Sequence, residues 1–371
     1  MFRLPSIRIP RFGRFKSLLG KEPYLGVDIG TTSIKIAEIS PPVAGQELRL
    51  SNYSILQTFG YLDRFNNALQ SSSLKLLENE TADLLKIMIE KGGFQSRSVI
   101  ASLPSFYAFT TLIELPQMAD SEIANIMKLQ AKQYIPLSID QVTIDWAKVG
   151  ERRQDDGTTK MQVLLISVVN EQVERYQKIF KLAGLNLEAL EIEGISLARV
   201  LARDEQQPVL IIDIGSRSTA ISVAERGLFK YGGQTDFSGG SLTQVIANAL
   251  SISPRRAEDV KKRKGLNVSG GERELSTLME PALDVIISEA KRVVKDFEGN
   301  YAQKITSIIL SGGGANLIGI EEYFGKQFEM PIRMANPFSG MGFPRAISPI
   351  IKKIGPLLAV AVGLGVKELR P

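Results

Sequence analysis

One short phrase occurs twice in this chain, and both copies must fold the same way. Gly26-Val27-Asp28-Ile29-Gly30-Thr31-Thr32-Ser33-Ile34-Lys35 is echoed far downstream by Ile211-Ile212-Asp213-Ile214-Gly215-Ser216-Arg217-Ser218. Placing Asp28 on Asp213 aligns the Asp, the Ile, the Gly and a later Ser, Ser33 on Ser218. A β-branched run precedes each copy. An alternating apolar run follows, Ile34 and Ile36 in one, Thr219, Ile221 and Val223 in the other. The pattern predicts strand, tight turn, strand, twice.

Such a turn has a definite chemistry. Glycine lets a ligand approach the backbone. The Thr and Ser hydroxyls and successive N–H groups form an anion-binding concavity. A carboxylate at the strand end repels phosphate but can hold a hydrated Mg2+ that binds it. Either copy alone reads better as an ordinary polar hairpin. Two of them facing each other would clamp a triphosphate from both sides.

The chain has 371 residues, enough for two domains or one bilobed unit. It contains no Cys and no His, which excludes a zinc site built on those ligands, a Cys nucleophile and a Ser-His-Asp triad. Any metal must be oxygen-ligated, which favours Mg2+. The net charge of +5 is local in origin. Arg3, Arg8, Arg11, Arg14, Lys16 and Lys21 all precede the first acid, Glu22, and the rest is near neutral. That balance argues against nucleic-acid binding. The leader, 1–23, mixes these bases with Phe2, Ile7, Phe12 and other apolar residues, and Pro5 and Pro10 oppose a long helix. It reads as a flexible arm, with anionic lipid or a membrane-bound partner as the sharper alternative. The apolar run 355–366 is too short and too glycine-rich to be expected to span a bilayer.

In chain order, a three-strand meander is expected over 24–59. A helix over 80–90 follows, with Leu84, Leu85, Ile87 and Met88 inward. Strands at 98–103 and 106–115, a helix at 119–134, strands at 142–149 and 161–169, a helix at 170–183 and a strand to Ile192 make a compact α+β insert. Its helix face of Ile123, Ile126, Met127 and Leu129, beside Phe106, Tyr107 and Phe109, is mostly core, with any remainder free to line a peptide groove. Helices are expected at 194–203, 241–250, 254–264 and 275–299. The third of these carries a charge run that reads as a solvated face, with Glu258 and Lys261 side by side at i and i+3. A strand at 305–310 then runs into Ser311-Gly312-Gly313-Gly314-Ala315-Asn316, read as opening a helix to Gln327 where a flat or anionic ligand meets backbone.

In order and spacing, the two Asp-Ile-Gly turns and Ser-Gly-Gly-Gly-Ala-Asn resemble the two phosphate motifs and the adenosine motif of the actin, Hsp70 and sugar-kinase superfamily. Residues 194–201 and 356–366 resemble its connecting helices. The insert's position resembles the branch shared by the cell-division protein FtsA and the pilus assembly protein PilM. Ser102-Leu-Pro-Ser-Phe-Tyr, Ile113-Glu-Leu-Pro and Gln133-Tyr-Ile-Pro-Leu look like the PilM family in particular. The sequence ends just after the second connecting helix, where FtsA continues into a membrane-targeting helix, and that too is expected of PilM.

The resemblance implies an α/β, bilobed actin-like ATPase fold, ribonuclease H-like, with an FtsA-type α+β (SHS2-like) insert. The first lobe would cover 24–93, the insert 94–193, the first connecting helix 194–207, the second lobe 208–353 with a helical part at 236–300, and the second connecting helix 354–371. It implies ATP and Mg2+ as cofactors. Asp28 and Asp213 would hold the hydrated metal. Gly30, Thr31, Thr32 and Lys35 would contact phosphate from one lobe, and Gly215, Ser216 and Ser218 from the other. Gly312, Gly313, Gly314 and Asn316 would seat adenosine, and Glu258 and Lys261 would reach ribose and base. Glu193 stands where relatives orient the attacking water; an exposed carboxylate at a strand end is the equal alternative. Arg217 departs from the small residue common at its position, so hydrolysis is at most slow.

The function implied is a cytoplasmic, nucleotide-regulated scaffold of the type IV pilus platform, peripheral to the inner membrane. It would grip the N-terminal peptide of a PilN-type bitopic inner-membrane protein between first lobe and insert. Other pilus platform and motor proteins are expected partners, with a homo-oligomer or ring among the assemblies allowed, and no nucleic acid. The alternatives are an FtsA-like polymer-forming tether and a sugar-type kinase.

Overall fold

The computed structural model describes residues 7–8, 22–42, 47–58, 77–135, 137–154, 156–266 and 273–370. Three sheets organise it. The first lobe's sheet begins with β1 (Ile7–Arg8) and the meander β2 (Tyr24–Ile29), β3 (Ser33–Ser40) and β4 (Arg49–Gln57). Helix α1 (Leu77–Gly92) follows, then β5 (Ser98–Leu103). α1 buries Ala82, Leu85, Met88 and Ile89, an i, i+3, i+7 stripe. Ile87, expected inward, is 47% exposed because it lies off that stripe.

The insert holds β6 (Ala108–Pro116), α2 (Asp120–Tyr134), β7 (Val142–Arg153), β8 (Thr159–Val169) and α3 (Asn170–Leu182). Its sheet order is β6-β8-β7, antiparallel throughout. Ile123 and Met127 of α2 are buried against Leu115, Val163 and Leu165. The Leu129 side chain lies outside what is described. Phe106 and Tyr107 fall in a 3-10 turn (Ser105–Tyr107) rather than in the strand, and Phe109 is exposed. The chain returns to the first lobe through β9 (Asn186–Ile192), which completes the six-stranded order β1-β9-β5-β2-β3-β4.

Helix α4 (Glu193–Leu201) crosses to the second lobe. There β10 (Val209–Ile214), β11 (Thr219–Glu225) and β12 (Leu228–Thr235) form a second meander. Helices α5 (Gly239–Leu250), α6 (Pro254–Lys264) and α7 (Arg273–Tyr301) pack beside it, and β13 (Ser307–Ser311), α8 (Ile320–Gly325) and β14 (Ile332–Met334) close the sheet as β12-β11-β10-β13-β14.

Helix α9 (Ile351–Gly365) returns against α4, β2 and β3. The 21-residue helical run Arg345–Gly365 meets the length and hydropathy of a membrane span, contrary to the expectation from its apolar stretch alone. Eleven of the 15 residues of α9 are nevertheless buried in protein. The contact with α4 is backbone on backbone: a Cβ at Gly363 would stand 2.1 Å from the Ser196 carbonyl oxygen. Arg199 of α4 fixes the crossing. It makes a two-pronged pair with Glu191 at 2.7 Å on both arms and donates to the Gly363 carbonyl at 2.8 Å.

The insert also touches the second lobe. Lys230 of β12 donates to the Val149 carbonyl, and Arg152 of β7 donates to the Asn300 carbonyl at 2.6 Å. An arm read as merely flexible instead places Ile7 and Arg8 as a strand on β9.

Candidate functional site

The two repeated turns close identically. Gly30 N–H donates to the Ser33 carbonyl at 3.0 Å, and Gly215 N–H to the Ser218 carbonyl at 3.1 Å. Each turn leaves its aspartate at the end of a strand, and each aspartate has a hydroxyl from the parallel neighbour. Ser102 at the end of β5 donates to Asp28 at 2.8 Å, and Ser311 at the end of β13 stands opposite Asp213 in the parallel register. The sequence motif Ser102-Leu-Pro held that serine in plain view. The parallel register of β2 with β5, Val27 opposite Ala101, is what puts Ser102 beside Asp28.

The two aspartates face one cleft. Burial disfavours the Lys35 ammonium, and the fields of Asp28, then Asp213 and Glu193, more than restore it, so its pKa lies above the ordinary lysine value. Glu193 lies at the start of α4, half-buried, with a backbone bond from Ser105. Burial, then the charges of Asp28 and Asp213, raise its carboxyl well above the usual range. It is therefore no exposed strand-end carboxylate.

Lys35 sits on Asp28, 2.7 Å from Oδ2, rather than on open space where phosphate would lie. Asp213 keeps Oδ1 sealed from solvent with no hydrogen-bond partner among the described residues. An orphaned, buried carboxylate oxygen beside a like charge is the kind of group a hydrated cation would satisfy. Among the described residues no three carboxylates converge to cage an ion directly. A metal here would rely on water and on its ligand's oxygens.

The helical side of the second lobe leans over the second turn. Gly239 and Gly240, at the N-terminus of α5, donate to the carbonyls of Gly215 and Ser216 at 2.9 and 3.0 Å. Lys261 of α6 is buried, donates to the Gly239 carbonyl at 2.6 Å and to Thr243 at 2.7 Å, and pairs with Glu258 at 2.6 Å. Burial outweighs Glu258 and lowers the Lys261 pKa; burial opposes, but Lys261 and Thr243 together hold Glu258 below its ordinary value. The solvated face expected of this charge run is thus interrupted at these two residues. A Cβ at Gly239 would come 3.1 Å from the Gly215 oxygen and 4.0 Å from the Gly314 Cα. The second Asp-Ile-Gly turn, the Glu-x-x-Lys pair and the glycine triplet therefore meet at one point.

The triplet does not open a helix. Gly312 has φ +83°, and a Cβ on Gly314 would collide with the Ile214 side chain at 2.2 Å. The glycines turn the chain tightly over β10 into a 3-10 turn (Gly314–Asn316), and α8 starts only at Ile320. Asn316 spends its amide on the Lys353 carbonyl at 3.0 Å, tying this turn to the approach of α9. Thr31 is exposed, and the Thr32 carbonyl accepts from Thr58 at 2.9 Å. Arg217 has a definite place: its guanidinium lies 4.4 Å over the Phe106 ring, across the cleft. A surface depression of about 440 Å³ between Lys291, Glu298, Lys304 and Phe328 shares no residue with this cleft.

Asp213 gives a pH signature. Burial pushes its carboxyl to about 6, against Ser311 and Lys35 and with the Asp28 charge adding, from an ordinary value of 3.8. Between those values the folded chain holds a proton that the unfolded chain has lost. The nucleotide-free protein should therefore lose stability as pH rises through that window, by roughly 3 kcal/mol in total at 1.36 kcal/mol per unit. Asp213→Asn should remove this component, so that melting at pH 8 rises relative to wild type while melting at pH 4 does not. A lower melting point at pH 8 would show that the carboxylate is not under strain.

Comparison with known proteins agrees with this geometry. The solved PilM-PilN type IV pilus biogenesis complex superposes with a TM-score of 0.77 at 22% identity, over 94% of this chain and 99% of that one. MreB5 of Spiroplasma citri bound to ADP superposes at 0.51 with 15% identity, over 92% and 94%. These likenesses show the bilobed, actin-like α/β fold. FtsA of Pseudomonas aeruginosa is 25% identical over 215 residues, 52% of this chain and 50% of that protein, so the match spans half the relative's length. FtsA of Enterococcus faecalis is 21% identical over 357 residues, 85% of this chain and 78% of that one. The family model of the type IV pilus assembly protein PilM matches residues 26–369. With that match covering nearly all of the sequence, the chain belongs to the PilM family of type IV pilus assembly proteins.

Proposed function

We propose that this chain is an ATP-binding scaffold of the type IV pilus platform, cytoplasmic and held at the inner membrane through a PilN-type partner. The observation that carries the nucleotide half is the convergence of both Asp-Ile-Gly turns, Lys261 and the glycine triplet on one cleft. Asp28 and Asp213 would hold a hydrated Mg2+, whose charge offsets that of the triphosphate. Gly30, Thr31, Thr32 and Lys35 from one side, and Gly215, Ser216 and Ser218 from the other, would present donors to phosphate. Gly312, Gly313, Gly314, Asn316, Glu258 and Lys261 would frame the nucleoside. Glu193, its carboxyl pushed up by burial and by Asp28 and Asp213, would orient the attacking water, with slow turnover at most.

The partner half is supported by the likeness to the PilM-PilN complex and by the seam where first lobe and insert meet around Ile7. The division into lobes, insert and connecting helices at 24–93, 94–193, 194–207, 208–353 and 354–371 belongs to the same reading. Calorimetric titration of the wild-type chain with Mg-ATP, and then with a synthetic N-terminal peptide of the PilN-type protein, tests both halves. Saturable 1:1 binding is expected for each. No heat with Mg-ATP removes the nucleotide half, and no heat with the peptide removes the partner half.

A further inference from the structure

The groove between first lobe and insert is already occupied in this chain, by the chain itself. β1 pairs antiparallel with β9, Ile7 opposite Leu190 and Arg8 opposite Ala189. On its other side β9 pairs parallel with β5. Without β1, β9 would be the edge of the first lobe's sheet, a row of unpaired N–H and C=O groups that accepts any extended chain. Ile7 is 5% exposed. It lines a small recess together with Leu103, Leu190 and Ile192 of the first lobe and Asp145, Ile166 and Val168 of the insert. Backbone pairing on one side and a side-chain recess on the other are the two ingredients of strand-addition recognition.

We propose that the β9 edge is a peptide-acceptor groove whose resident ligand in the free protein is the chain's own Ile7–Arg8, which a partner's extended segment must displace. This rests on the reading of the groove as the partner's seat. Among the described residues the hold rests on two backbone pairs, on the Ile7 anchor and on tethering. Tethering places the segment at an effective concentration of order mM. That is enough to exclude a weak competitor and low enough for a better one to win. The replacing ligand would be an extended segment with an aliphatic side chain in the Ile7 position and a free edge for β9.

The test uses the full chain with Ile7→Asp, alongside Ile7→Ala, which truncates the anchor without adding charge. The probe is a synthetic peptide of residues 2–13 carrying a fluorophore, with the same peptide bearing Ile7→Asp as control. Both variant chains should bind the native peptide 1:1, at least tenfold tighter than wild type, and neither should bind the control. If the variants bind the native peptide no better than wild type does, or bind the control equally, the resident-ligand assignment is wrong. The PilN-type peptide is then added as competitor. Displacement of the probe, with tenfold tighter binding to the variants than to wild type, supports the shared groove. Binding without displacement removes the partner from this groove and leaves the self-ligand standing.

Discussion

Changing Asp28 and Asp213 together to asparagine should reduce Mg-ATP affinity by about a hundredfold or more, taking roughly 10- to 100-fold for each outer-sphere metal partner. Asparagine keeps the volume and can still accept from Ser102, but supplies no charge to the metal. The same variant should bind ATP more tightly than wild type when Mg2+ is chelated. Two negative charges no longer face the triphosphate, and Lys35, relieved of its 2.7 Å pairing with Asp28, is free to meet phosphate. The opposite signs, with and without Mg2+, separate a metal-holding role from simple loss of fold. Titration calorimetry in Mg2+ and in chelator reads both. Equal Mg-ATP affinity in wild type and variant would take the shared cleft out of the nucleotide reading.

Arg199→Met should be the most destabilising single change outside the hydrophobic core. Glu191 has a side chain with no solvent exposure, and Arg199 is its counter-charge. Removing one partner of a buried pair costs about 3–5 kcal/mol, because the other is left as an uncompensated charge. The cost also includes the Gly363 carbonyl, which loses its donor. At roughly 2 °C per kcal/mol for a chain of this size, melting should fall by about 5–10 °C. The double variant Arg199→Met with Glu191→Leu should recover much of the loss, since an apolar pair of similar volume is often tolerated. Calorimetric melting of the three proteins decides it. A double variant no better than Arg199→Met would mean that packing, rather than the stranded carboxylate, dominates.

The hairpin turns were readable because repetition removes chance. Two copies with the same strand pattern, plus a third motif, fix the order of elements around one cleft. Helix existence was equally readable, since α5 and α7 carry a regular apolar periodicity and α6 opens on the cap Ser253-Pro254. What the sequence hid were side-chain choices made by tertiary partners. Lys35 pairs with Asp28 because their strands are antiparallel neighbours, Asp28 directly opposite Lys35. Arg217 covers Phe106 because the insert leans on the second lobe, which no local pattern reports. The glycine triplet suggested a helix start, but Ile214 beneath it leaves room only for a tight turn. Residues 7 and 8 carry no strand signal of their own. Their conformation is set by the edge they cover.

Successive residues of a strand such as β5 point to opposite faces. Ser102 bonds Asp28 on one face, while its neighbour Leu103 walls the Ile7 recess on the other. A slide or tilt of this single rigid rod changes the hydroxyl on one wall and the methyls on the other in one movement. The cleft and the groove are back to back, with a partition one backbone thick.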